Sequence, residues 1–116
     1  MKKILLLASI IATPFFITPT VHAEDSTALR ICEYISVDDK TRLRSFLKQN
    51  KLKIRSVFSG VKCNGDNLLI FSARSKALDT GEFIIGKISK SIVKENLAAI
   101  TELSAHLGED AKARVE

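Results

Sequence analysis

Residues 26–36 read Ser-Thr-Ala-Leu-Arg-Ile-Cys-Glu-Tyr-Ile-Ser and decide how the rest of the chain is interpreted. Four side chains in this stretch follow the i, i+3, i+4, i+7 spacing of one helical face: Ala28, Ile31, Cys32 and Ile35. The polar residues before them can cap a helix. The sequence therefore predicts a first helix from about Thr27 to Ser36, with a cysteine on its apolar side.

The only other cysteine, Cys63, lies directly before Asn64-Gly65-Asp66. These residues predict a turn, because Asn64 and Gly65 tolerate positive φ, and Asp66 is able to cap a helix that follows. Two cysteines in an oxidising compartment are most simply interpreted as one disulfide. A Cys32–Cys63 bridge would fasten this turn to the first helix.

The start of the chain predicts export. Lys2 and Lys3 precede an apolar run over 4–17, and Val21-His22-Ala23 supplies small residues at its first and third positions. We expect 1–23 to be a signal peptide cleaved after Ala23, since prolines interrupt the run too early for a membrane span. The expected mature protein is periplasmic or secreted, and it has no transmembrane anchor after cleavage.

Length and composition limit the remaining possibilities. A chain of 116 residues with 46% hydrophobic and 27% charged residues predicts one globular domain and argues against disorder. Aromatic residues make up only 6%, which argues against a stacking platform for bases or sugars. We expect a helical domain over 24–108 and a flexible tail over 109–116.

Helical spacing continues after the first helix. Asp38 or Asp39 can cap a second helix that ends near Asn50 and turns Leu43, Phe46 and Leu47 inward. Residues 51–63 fit a short strand or an extended segment leading to a helical turn, and 68–77 fit a helix capped by Asp66. Residues 82–90 fit helix and strand equally well, and a last helix runs from Ser91 to a stop at Gly108. The predicted fold class is mostly α, a single-domain helical module with one disulfide and room for a short extended segment; the alternative is α+β.

A combination of short motifs resembles a family of small secreted bacterial proteins classed as a domain of unknown function. The motifs are Ser26-Thr27, Ile31-Cys32, Leu43-Arg44 with Leu47-Lys48, Val61-Lys62-Cys63-Asn64-Gly65 and Phe71-Ser72-Ala73. The resemblance covers roughly 26–80, so the stretch from Glu82 onward looks like an extension. It implies a short periplasmic module, gives Cys32, Cys63, Asn64 and Gly65 a structural role, and implies no activity, cofactor or partner.

The residues that carry common chemistries do not form a recognisable catalytic pattern. The two cysteines are 31 positions apart, unlike the Cys-x-x-Cys spacing typical of thiol exchange. Zinc requires three or four Cys or His ligands, and after cleavage the chain would have only Cys32, Cys63 and His106. His106 alone completes no triad, and no Gly-x-Ser-x-Gly sequence is present. We expect no enzyme activity, no metal and no cofactor.

Charge is the remaining functional signal. Residues 40–62 contain eight basic side chains and no acidic one. Five of these are candidate anion-binding residues: Arg42, Arg44, Lys48, Lys51 and Arg55. The predicted function is a non-catalytic exported module that binds a protein partner, such as an acidic envelope protein. The alternative is an envelope protein that uses 40–62 on a polyanion or anionic lipid, and a merely solvated helix face also fits. No nucleic acid is expected, because export separates the protein from it.

Overall fold

The computed structural model describes residues 23–116, which form seven α-helices and one 3₁₀ turn. The helices are α1 (Ala23–Ser36), α2 (Lys40–Gln49), α3 (Ile54–Val57), α4 (Leu68–Arg74), α5 (Leu78–Lys87), α6 (Lys90–Leu103) and α7 (Ala105–Val115), with the 3₁₀ turn (Phe58–Gly60) after α3. Over 23–116 the only β pairing is an isolated bridge between Cys63 and Asp66. The mostly α prediction is confirmed, and the α+β alternative is wrong. The predicted signal peptide lies outside the described residues, except for Ala23.

One hydrophobic core joins these helices into a single domain. Its fully buried large side chains come from helices α1, α2, α4, α5, α6 and α7 and from the residue after α5: Ile31, Ile35, Leu43, Leu68, Leu69, Ile84, Ile88, Val93, Ile100 and Leu107. The positions predicted from helical spacing in α1 and α2 are fully buried at Ile31, Ile35 and Leu43 and buried at Leu47. The other predicted positions, Ala28, Cys32 and Phe46, are half-buried against the core. Burial of these apolar faces against one another holds the short helices together, since helices of this length are marginal alone.

The predicted last helix is two helices. Ser104 adopts extended backbone that ends α6, and its hydroxyl accepts a hydrogen bond from Leu107 N at 3.2 Å at the start of α7. Gly108 lies inside α7 and is buried, so the predicted stop at Gly108 is wrong. A Cβ added there would lie 2.7 Å from Thr101 Cα. The glycine therefore lets α6 and α7 touch.

The segment predicted as a flexible tail, 109–116, is helical through Val115. Two contacts explain the difference. Ala111 is fully buried in the core, and Arg114 donates hydrogen bonds to backbone carbonyls at the end of α5. Helix α7 therefore extends through this segment because tertiary contacts hold it in place. Composition alone had indicated a frayed end.

Other boundaries also differ from the sequence prediction. Helix α4 is capped by Asn67, whose side chain accepts a hydrogen bond from Ile70 N at 2.9 Å, and not by Asp66. Asp66 instead pairs with Arg74 at 2.8 Å, and this hydrogen bond and charge raise the pKa of the Arg74 guanidinium. Of the two alternatives for 51–63, the structure shows the extended segment with helical turns and not the strand. Of the two alternatives for 82–90, it shows a helix through residue 87.

Candidate anion-binding groove

An open groove of about 750 Å³ lies between α2, α3 and α5, with a contribution from α7. Half of its lining residues are basic, and none is acidic. The basic ones are Lys40, Arg44, Lys48, Lys53, Arg55, Lys87 and Arg114. Cations that converge on a concave surface create a focused positive potential there, which attracts anions. The groove is therefore the clearest candidate binding site in the described part of the chain.

Helix α2 supplies one wall of the groove. Asp39 caps the helix by accepting a hydrogen bond from Arg42 N at 3.0 Å. Leu43 and Leu47 are buried in the core, which leaves Arg44 and Lys48 exposed on the groove side. The amphipathic pattern of this helix thus places two cations one helical turn apart on its outer surface.

Helix α5 supplies a second wall, and its start is held by a residue from the loop between α1 and α2. Ala77, the residue before α5, has no side chain able to cap it. Asp38 takes this role: Oδ1 accepts a hydrogen bond from Thr80 N at 2.8 Å, and Oδ2 accepts one from Asp79 N at 3.3 Å. A carboxylate at this position satisfies backbone N–H groups that a helix leaves free at its N-terminus.

The other end of α5 is held by Arg114 from α7. This half-buried guanidinium donates to the carbonyl oxygens of Ile85 at 3.1 Å and Ile88 at 2.9 Å. Carbonyls at a helix C-terminus lack partners within the helix, and a cation interacts favourably with them. Arg114 therefore fixes the end of α5 while it also lines the groove.

Phe83 lies where the two walls meet. The Cζ atom of Arg44 on α2 is 5.7 Å from the centre of the Phe83 ring, and the Nζ atom of Lys87 on α5 is 5.9 Å from it. A cation within about 6 Å of a ring centre is attracted by the ring. Phe83 thus has one cation from each of the two helices close to its ring.

The structure places only some of the predicted anion-binding residues together. Arg44, Lys48 and Arg55 line the groove. Arg42 lies in a neighbouring concavity and pairs with Asp39 at 3.5 Å, and Lys51 does not line the groove. The acid-free block at 40–62 also contains Lys40 and Lys53, which the prediction omitted although the same signal covers them. Sequence reasoning missed Lys87 and Arg114, since packing alone brings them there.

The disulfide and the turn lie on another part of the domain. Cys32 and Cys63 are bonded, with Cα atoms 5.7 Å apart. Asn64 and Gly65 have φ values of 54° and 86°, and the backbones of Cys63 and Asp66 exchange two hydrogen bonds around them. Positive φ at both central residues is typical of a type I′ turn. The bridge therefore joins α1 to this tight turn, and none of these residues lines the groove.

Within residues 23–116, metal ligands, a catalytic histidine and membrane-spanning helices are the other features that would point to a function. No group of three histidine, cysteine, aspartate or glutamate side chains in this range is arranged to hold a metal ion. His106 is exposed on α7, with Nε2 3.6 Å from Asp110 Oδ2. None of the described helices combines the length and apolar character needed to cross a bilayer.

Comparison with known proteins identifies the family. The family described as "Protein of unknown function (DUF3718)" matches residues 31–98, and the chain belongs to it. This confirms the resemblance to a domain-of-unknown-function family. The match continues past Glu82 to residue 98, so the expected limit of the common region near residue 80 was too short. No curated protein and no solved structure matches.

Proposed function

We propose that this family member is a non-catalytic exported module that binds an acidic segment of a protein partner in the groove. The observation that carries the proposal is the lining of the groove, with seven cations and no acid. Residues 31–98, the range over which the family matches this chain, contain six of those seven cations. A partner segment with several carboxylates complements this surface in charge and in shape.

A peptide segment fits the groove better than a membrane surface does. The cations line a concavity, which an extended chain can enter and a flat bilayer cannot. The large apolar side chains with the greatest exposure among the described residues are Leu29, Val37 and Leu78, and none of them lines the groove. An interfacial protein needs apolar side chains that protrude beside its cations into the headgroup region, whereas the apolar side chains of the groove are buried or half-buried. Binding to anionic lipid is therefore the alternative outcome of the test.

Export is part of this proposal. The cationic and apolar start of the chain, with Val21-His22-Ala23, supports a signal peptide cleaved before Glu24, and the Cys32–Cys63 bridge suits a periplasmic or secreted location. The intact mass of the protein recovered from the cell envelope or medium tests both. We expect a chain that begins at Glu24 and has no free thiol. A mass that retains residues 1–23 would contradict export by cleavage.

The absence of catalysis is also a proposal. His106 is absent from the groove lining and lies near Asp110 on α7. The groove itself offers guanidinium, ammonium and hydroxyl groups, without a carboxylate, thiol or imidazole to act as a base or nucleophile. This set of groups suits reversible binding.

The test compares two triple variants of equal charge. Arg44→Gln/Lys48→Gln/Arg55→Gln removes three cations from the groove, and Lys62→Gln/Lys94→Gln/Lys112→Gln removes three exposed cations from elsewhere. Binding of a fluorescent glutamate-rich peptide is measured by anisotropy, beside vesicles of neutral lipid with and without an anionic lipid. We expect the groove variant to lose at least about tenfold in affinity at low salt and the control less than about threefold.

Two results would overturn the proposal. Equal losses in the two variants would mean that net charge, and not the groove, governs binding. Binding to anionic vesicles without binding to the peptide would favour the lipid alternative. Circular dichroism of both variants, which is expected to match the wild type, shows that the comparison is made between folded proteins.

A further inference from the structure

Beneath its basic rim, the groove has an apolar floor. Leu47, Leu52, Ile54 and Phe83 line it together with the cations. Leu47 and Ile54 are buried, whereas Leu52 and Phe83 are half-buried and present carbon surface to the groove. A ligand made only of charged groups would leave this surface without a partner.

The apolar surface and the cations meet at Phe83. Arg44 and Lys87 lie 5.7 Å and 5.9 Å from its ring centre and come from different helices. A carboxylate that binds either cation therefore lies close to the ring. The neighbouring side chain of the same ligand would then be within reach of Phe83 and Leu52.

We infer that the groove selects acidic segments in which a carboxylate is followed closely by an apolar side chain, the carboxylate bound at Arg44 or Lys87 and the apolar group packed on Phe83 and Leu52. This inference rests on the proposed function and narrows its class of partner. The two contributions respond differently to salt, because ions screen the charge pairing while apolar burial is not screened.

The experiment uses two short peptides of equal length and equal charge. Both contain the same glutamates, and leucines in one peptide are replaced by serines in the other. We expect the leucine peptide to bind about fivefold more tightly, as partial burial of one such side chain would give. Both affinities should fall from about 50 mM to about 300 mM salt while their ratio stays the same, because screening weakens only the charge pairing that the two peptides share.

Variants of the apolar floor and of the cations show which residues produce the difference in affinity between the two peptides. Phe83→Ala is expected to bring the affinity ratio of the two peptides close to one, and Leu52→Ala tests the same floor if the first variant fails to fold. Arg44→Gln/Lys87→Gln should weaken both peptides by similar factors and keep their ratio.

The outcomes separate this inference from the proposed function. Equal binding of the two peptides would overturn the selection for an apolar side chain and leave acidic-segment binding intact. If neither Phe83→Ala nor Leu52→Ala changes the affinity ratio, the assignment of the ligand's apolar side chain to Phe83 and Leu52 would be overturned. Failure of both peptides to bind the wild-type protein would overturn the proposed function and this inference together.

Discussion

Helices α2 and α5 form two walls of the same groove, yet different interactions hold them. Helix α2 is capped by Asp39, its own neighbour in sequence. Helix α5 has no local cap, and both of its ends are held by residues distant in sequence. Asp38 lies 41 and 42 residues before the N–H groups that it contacts, and Arg114 lies 26 and 29 residues after the carbonyls that it contacts. One wall is thus specified locally, and the other depends on the completed fold.

This difference has a consequence for the groove. The composition of α5, with two glycines and several β-branched residues, gives it low intrinsic helix propensity. Its helical form therefore relies on capping and on packing against α7, α4 and α2. Because Phe83 and Lys87 belong to α5, disturbance of a distant cap should alter binding as well as stability.

Loss of the disulfide is expected to have the largest effect, and it tests whether α1, which packs against α2 and α4, also needs a covalent bond to stay in place. Cys32→Ala with Cys63→Ala should lower the free energy of unfolding by about 2–5 kcal/mol, because the bridge restricts the unfolded chain. Denaturant melts of the two forms measure this loss. A loss below about 1 kcal/mol would mean that packing of α1 on α2 and α4 suffices.

A methyl group at Gly108 should disturb the region on which α5 depends. Gly108→Ala forces the α6–α7 contact apart at the Thr101 backbone, and we expect a loss of about 1–3 kcal/mol. Gly86→Ala is the matched control, since a Cβ there meets nothing within 4 Å, and it should be neutral or slightly stabilising. Hydrogen exchange should show greater opening of α5 than of α2. Equal destabilisation by both alanines would refute the packing argument.

Adjacent aspartates provide the most direct comparison of the two walls. Asp38→Ala removes the acceptor of the buried Thr80 N–H and forces alanine to adopt the φ of 55° found at this position, so we expect a loss of about 2 kcal/mol. Asp39→Ala removes an ordinary helix cap, and we expect a loss of about 1 kcal/mol.

Hydrogen exchange distinguishes the two effects. Asp38→Ala should increase exchange in α5 and Asp39→Ala in α2, and Asp38→Gly separates the lost acceptor from the backbone strain, since glycine tolerates positive φ. If both alanine variants loosened the same helix, capping of α5 by a distant residue would be refuted.

The same contrast explains what could be predicted from the sequence. The limits of α2 and its buried side were predictable, because Asp39 and the spacing of Leu43 and Leu47 are local signals. The choice between helix and strand at 82–90 was not, because the groups that cap α5 are distant in sequence. The break at Ser104 was also missed, since the apolar spacing continues across it to Leu107.

The sequence also predicted only part of the candidate groove. The acid-free block indicated Arg44, Lys48 and Arg55, which the fold brings together on one side. It could not indicate Lys87 or Arg114, because packing of α5 against α7 and α2 determines that they join the others. It also could not exclude Arg42, whose position depends on which side of α2 turns towards α1.

The smallest expected effects come from neutralising single cations on the two walls. Arg44 has Lys40 and Lys48 at i−4 and i+4 on α2, and like charges at this spacing destabilise a helix by a few tenths of a kcal/mol per pair. Arg44→Gln relieves both repulsive pairs, and the lost contact with Phe83 offsets part of that relief. We therefore expect the free energy of unfolding to rise by a few tenths of a kcal/mol at low salt.

Lys87 instead lies in the last turn of α5, where a cation is favourable, and it also contacts Phe83. Lys87→Gln should therefore cost a few tenths of a kcal/mol, and both effects should shrink as salt increases. Denaturant melts at low and high salt measure the two differences, and a loss of stability in both variants would show that the cations on α2 are not strained by mutual repulsion.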